Sequence, residues 1–195
     1  LSTRSFGTIY PDFPIANQFN HVIVYAKTKT GEFVLDVTDR LRPYYLLPLE
    51  ALNSTGLMIT NKNVNWVEII PAGKNLSVKA ASVLIKNDGS IKGVMRLTTE
   101  DYAALSTRKL LVENGNSDDL LKKISQSDKT GLNITPLNVL NFNIVEKPLI
   151  IEADISSVTY SQVTDSMIYI SPYFLGRMDD NSFKPDDRDF DIDYA

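Results

Sequence analysis

The chain contains no cysteine. That excludes disulfides, thiolate metal sites and any thiol nucleophile of its own. It does not fix the compartment, because many secreted bacterial proteins manage without disulfides. Histidine is almost as scarce. His21 is the only one, too few for a histidine-based metal site. No apolar run approaches a membrane span in length, and Leu1-Ser-Thr-Arg4 opens without the apolar run of a signal peptide. For an internal piece of a longer protein, a missing signal says nothing about the whole. No basic block is long enough to follow a phosphate backbone, so nucleic acid is not an expected partner. The balance is 20 basic residues against 24 acidic, a formal net charge of -4. The acidic run Asp186–Asp193 reads as a solvated tail, its field broken by Lys184 and Arg188. With Asp179-Asp-Asn-Ser it offers oxygen ligands but not EF-hand spacing, which needs a central glycine and a closing glutamate. No cofactor or metal is expected.

What is present suits one domain, or one domain plus a piece of another: 195 residues, of which 43% are hydrophobic. Residues 1–18 are punctuated by Gly7, Pro11 and Pro14 and read as irregular. Phe19–Lys27 alternates and is rich in β-branched residues, Gly31 marks a turn, and Glu32–Val37 reads as the returning strand of a hairpin. Pro43 and Pro48 carry the chain out of that sheet, Pro48–Asn53 suits one short helical turn, and Gly56–Ile59 is a short strand.

A second part begins near Trp66–Ile70. Leu76–Lys86 is a long alternating strand. Asn87-Asp-Gly-Ser90 is a strong hairpin turn, because Gly89 accepts a positive φ at no steric cost. Ile91–Thr98 is the returning strand. Glu100–Val112 reads as helix, or as the sheet continued through Tyr102–Leu105 with a bulge. Ser117–Ile124 has a serine N-cap, acidic residues in its first turn and lysines after them, and reads as a short helix. Leu137–Val145, Leu149–Ser157 and Ser166–Ile170 have strand character. The expected division is a small hairpin piece over residues 1–60 and a mostly β domain over residues 61–195. About seven strands with one inserted helix point to a two-sheet, immunoglobulin-like β-sandwich.

The chemistry-bearing feature is the hairpin Phe19–Asp39. Alternation along a strand puts His21 on one face with Ile23 and Tyr25, and Asn20, Val22 and Val24 on the other. A turn near Lys29–Gly31 brings His21 opposite the stretch Asp36–Thr38. An Asp36 carboxylate there accepts a hydrogen bond from the imidazole, fixes its tautomer and stabilises the charged ring during acid–base work. Asp39 is the competing carboxylate. A lone histidine on a half-buried strand is more often packed and hydrogen-bonded without chemistry, and both readings stay open on the pattern alone.

The residues Phe19-Asn-His-Val-Ile23, Asp36-Val-Thr-Asp39, Leu1-Ser-Thr-Arg4 and Leu46-Leu-Pro48 resemble the end of a transglutaminase-like core of the papain-type superfamily. They are most similar to large proteins common among Bacteroidetes that join a DUF3857 domain, a transglutaminase-like core and a C-terminal, β-rich DUF3858 domain. The resemblance implies that His21 is the general base of a Cys-His-Asp triad, that Asp36 orients it, and that residues 61–195 are the DUF3858-like domain. It implies a periplasmic or cell-surface Gram-negative protein acting on peptide or amide bonds by acyl transfer or hydrolysis. The chain departs from the family pattern in having no nucleophile, so by itself it is expected to be inactive. The expected partners are protein or peptide and the missing N-terminal part of a longer parent, with self-association through exposed strand edges. The alternative is a noncatalytic binding or scaffolding module of the cell envelope.

Four further features have a structural and a functional reading. Asn20 suits a strand-edge role or substrate binding. Arg40 and Arg42 suit ion pairing or a substrate carboxylate. Trp66 suits burial between the two parts or in the sandwich, with sugar stacking as the alternative. Tyr44-Tyr45-Leu46-Leu47 suits packing of the hairpin on the β domain, or surface bared by a missing half-core.

Overall fold

A computed structural model describes residues 1–13, 15–53, 55–114 and 131–171. The fold is mostly β, as expected, with one α-helix among the described residues. The strands are β1 (Val24–Lys27), β2 (Glu32–Leu35), β3 (Thr55–Ile59), β4 (Val64–Glu68), β5 (Asn75–Ile85), β6 (Ile91–Glu100), β7 (Asn133–Leu140), β8 (Leu149–Ser157), β9 (Gln162–Val163) and β10 (Ile168–Tyr169). The helix α1 (Asp101–Asn114) lies between β6 and β7. All pairing is antiparallel: β1–β2, β3–β4 and β9–β10 are two-stranded ribbons, and β5-β6-β8-β7 is a four-stranded sheet.

The four-stranded sheet follows from strict alternation. Ile91, Met95, Leu97 and Thr99 of β6 are buried, as are Leu149, Ile151, Ala153 and Ile155 of β8. The ladder sets Met95 opposite Ala153 and Leu97 opposite Ile151. Each large side chain removed from water on this face contributes about 1.5–3 kcal/mol. Leu110 and Leu111 of α1, with Tyr160 and Ile170 flanking the β9–β10 ribbon, pack over the same cluster. Among the described residues the covering layer is therefore a helix and a small ribbon, where a second full sheet was anticipated. The β5–β6 turn forms as the sequence indicates, with Gly89 at φ +81° and Asp88 Oδ1 accepting from the Ser90 amide (2.9 Å) and hydroxyl (2.7 Å).

After β6 one strand boundary moves and one open alternative is settled. The residues read as Leu137–Val145 pair only as far as Leu140, in a strand that begins at Asn133. Asn141 adopts φ +61° and leaves the ladder, a conformation asparagine tolerates better than most residues. The loop it opens is held by the fully buried Arg108 of α1, which donates to the carbonyls of Asn141, Phe142, Ile144 and Lys147 at 3.0–3.3 Å. Glu100–Val112 takes the helical alternative and extends to Asn114. The Ser117–Ile124 helix, the run Asp186–Asp193 and Asp179-Asp-Asn-Ser lie outside the described residues.

A second apolar cluster joins the two parts of the chain: Leu1, Leu47, Ala51 and Leu52 with Ile69, flanked by Ile23, Val34 and Tyr102. Residues 60 and 61, where the division was drawn, lie in the β3–β4 turn. Tyr102 donates its hydroxyl to the Leu47 carbonyl at 2.8 Å, and Tyr45 donates to Asp101 Oδ1 at 2.9 Å. Burial, with the Asp101 charge beside it, pushes the Tyr45 hydroxyl up to about 12. Of the two readings of Tyr44–Leu47, packing is the one observed: Leu46 and Leu47 are buried, and a Cβ on Gly73 would overlap the Leu46 side chain.

Candidate functional site

The site is assembled by the β1–β2 hairpin and the residues just outside it. Thr28 N–H donates to the Gly31 carbonyl at 2.8 Å and closes the turn. The ladder then pairs Val24 with Leu35. Carried outward, the register sets Ile23 opposite Asp36 and His21 opposite Thr38, so His21 and Asp36 are diagonal neighbours on one face. Neither belongs to the ladder. Strand pairing with β2 starts at Val24, not Phe19. On the edge away from β2 the His21 backbone is held by Leu1: His21 N–H donates to the Leu1 carbonyl (3.1 Å) and the Leu1 ammonium to the His21 carbonyl (2.9 Å). β2 ends at Leu35, not Val37, because Asp36 turns its carboxylate back onto the Thr38 amide, a local competitor of the ladder.

His21 Nε2 lies 2.9 Å from Asp36 Oδ2. The other oxygen, Oδ1, accepts from Thr38 N–H (2.9 Å), Thr38 Oγ1 (2.6 Å) and Arg42 Nη2 (2.6 Å). Arg42 Nη2 also donates to Thr38 Oγ1 at 3.0 Å. The Asp36 side chain is 1% exposed, that of Arg42 5% and that of His21 26%. Burial works to raise the Asp36 carboxyl, but Thr38 side-chain and backbone hydrogen bonds, the His21 hydrogen bond and the Arg42 charge together hold it below the usual carboxylate range. An ionised Asp36 accepts only, so His21 carries its proton on Nε2 when neutral. Nδ1 is then an acceptor and has no hydrogen-bond partner among the described residues. A base whose orienting side is fixed and whose other nitrogen is unused can take a proton from a nucleophile brought against it.

Beside His21 lies a cavity of about 360 Å³, mostly apolar. Phe19, Ile23, Tyr25 and Val34 line it from the hairpin side, and Gly56–Thr60, Val67 and Ile69 from the β3–β4 side. The two carboxylates have different roles. Asp36 meets the histidine, whereas Asp39 pairs with Lys109 of α1 at 2.8 Å and accepts from the Leu41 amide at 3.0 Å.

The remaining sequence candidates resolve as follows. Asn20 ties the strand entry to Thr3, accepting from its amide and donating to its hydroxyl, both at 2.8 Å. Arg42 is a pairing arginine and Arg40 is exposed. Trp66 is not buried: it is 39% exposed and stacks on Phe19 with centroids 6.2 Å apart. Thr38 and Leu1 entered the sequence reading only within the stretches that carry the resemblance, with no role assigned to either. The Asp36-x-Thr38 spacing, which suits a carboxylate capping its own turn, was the available signal for Thr38.

No family model, curated protein or solved structure matches the chain.

Proposed function

We propose that residues 1–60 supply the His–Asp half of a transglutaminase-like, cysteine-dependent acyl-transfer site whose thiol lies outside this chain, and that residues 61–195 form an accessory β domain. His21 is the general base and Asp36 its orienting carboxylate. In the longer protein His21 Nδ1 takes the thiol proton, the thiolate attacks a peptide or amide carbonyl, and the same imidazolium returns the proton to the departing amine. Water or a second amine then resolves the thioester. The observation that carries the proposal is the His21–Asp36 pair: one carboxylate oxygen is saturated by Thr38 and Arg42, the other is committed to Nε2, and Nδ1 remains unused beside an apolar cavity. The 195-residue chain, having no cysteine, does not run this chemistry. A periplasmic or cell-surface location in a Gram-negative bacterium is part of this proposal and is supported by the sequence resemblance alone.

The test is labelling of the full-length protein with a thiol-directed electrophile, followed by peptide mapping. Selective modification of one cysteine upstream of Leu1, lost in His21→Ala, supports the proposal. Uniform or absent labelling in a folded protein removes it.

The second reading, a noncatalytic binding or scaffolding module, is favoured by β5. Among the described residues that strand is the outer one of the four-stranded sheet, and Leu76, Val78, Leu84 and Ile85 on it are exposed. Exposed apolar side chains along one strand suit contact with a partner, including a second copy. Concentration-dependent sedimentation, abolished by Val78→Lys, would support that role.

A further inference from the structure

The cavity beside His21 separates two unpaired strand edges. Among the described residues β1 pairs only with β2, and β3 only with β4. Thr28 N–H points at β2, since it donates to Gly31. Antiparallel alternation then turns the Val24 and Ala26 amides toward β2, and those of Ile23 and Tyr25 away from it. Likewise Thr60 N–H donates to Asn63 across the β3–β4 ribbon, which turns the Leu57 and Ile59 amides away from β4. Residues 21–23 and Tyr25 on one side and residues 56–60 on the other line the same cavity, together with Val34, Val67 and Ile69.

Leu1 shows what fits between them. It exchanges both backbone hydrogen bonds with His21, as an antiparallel partner does. Its side chain also reaches the other wall, since a Cβ on Gly56 would stand 3.6 Å from Leu1 Cβ. Leu1 thus touches both walls of the cavity, and the apolar lining beside it suits the core-facing residues of a strand.

We propose that the cavity is the seat of an added β-strand, antiparallel to β1 and in register with the Leu1–His21 pair, and that its occupant is the polypeptide leading into Leu1 in the longer protein. This rests on the reading of the chain as part of such a protein, and not on the identity of the nucleophile. The strand joins the two ribbons into one sheet in the order β2-β1-added-β3-β4. It takes up the outward amides and carbonyls of Ile23, Tyr25, Leu57 and Ile59 by strand addition. It also covers the apolar flank of His21, leaving Nδ1 as the ring's contact with a substrate.

Residue-resolved amide exchange, compared between the full-length protein and the 195-residue chain, tests this. The amides of Ile23, Tyr25, Leu57 and Ile59 should exchange at least about tenfold more slowly in the full-length protein. Those of Val24 and Ala26, paired with β2 in both, should change little. Equal rates at the four outward positions overturn the proposal, as does uniform slowing that includes Val24 and Ala26. Slowing that appears in the 195-residue chain on raising its concentration assigns the seat to a second copy and overturns it as well. Protection without thiol labelling would sink the acyl-transfer reading alone. Labelling without protection would sink the added strand alone.

Discussion

Replacing Arg42 with methionine keeps the length of the side chain and removes its charge. Both partners of the Arg42–Asp36 pair are almost fully enclosed, and the contact is 2.6 Å. Breaking a buried pair by deleting one partner costs about 3–5 kcal/mol, because the surviving charge is left in a poor solvent. Asp36 keeps three donors, the Thr38 amide, the Thr38 hydroxyl and His21, which places Arg42→Met near the lower end, about 3 kcal/mol. For a chain of this size that lowers Tm by roughly 6–12 °C. The pH dependence separates charge from packing. Asp36 titrates below its unfolded value in the native state. Its stabilisation is therefore fully present above the unfolded carboxylate pKa and is lost as pH falls through the folded one. The gap between wild type and Arg42→Met, followed by circular dichroism, should be full at neutral pH and shrink as pH falls below the ordinary carboxylate range. A gap that stays constant over that range would assign the loss to packing and refute the ion-pair reasoning, as would a neutral-pH difference of less than about 1 kcal/mol.

Gly93→Ala on β6 would drive its Cβ into the Ser82 carbonyl of β5. Overpacking costs about 1–3 kcal/mol, and a urea midpoint equal to wild type would show that the strands separate freely there. Arg108→Met strips four loop carbonyls of their donor. Residues 141–147 should then become the first site of proteolytic nicking, with a loss of about 3 kcal/mol or more; unchanged cleavage and midpoint would contradict that role. Tyr45→Phe should delete a phenolate component near 12 from the ultraviolet titration. The raised folded value means that this group's stabilisation is full below the ordinary tyrosine pKa of about 10 and is lost as pH rises toward the folded value. The variant should therefore lose less stability than wild type over that alkaline range.

The sheet was legible wherever burial follows a period of two. Ile91–Thr98 and Leu149–Ser157 were found to within a residue or two because every second residue enters the core. The end of β7 was not legible, because it depends on carbonyls converging on Arg108, a residue far away in sequence that reads as an ordinary exposed helix cation. The His21–Asp36 pairing was legible from alternation and turn position. The saturation of Asp36 Oδ1 by Arg42 was not, because a buried arginine and a solvated one look alike in sequence. Trp66 was misjudged for a related reason. Its burial depends on what lies across β3 and β4, and among the described residues Phe19 alone stacks on it.

The most direct measurement is the second-order rate of thiol alkylation in the full-length protein, compared among wild type, Asp36→Asn and His21→Ala. A fast, single-site reaction in wild type, slowed in Asp36→Asn and reduced to the rate of a free thiol in His21→Ala, is the predicted result. Equal rates in all three folded proteins would show that His21 and Asp36 activate no cysteine, and would contradict their assignment as half of a catalytic site.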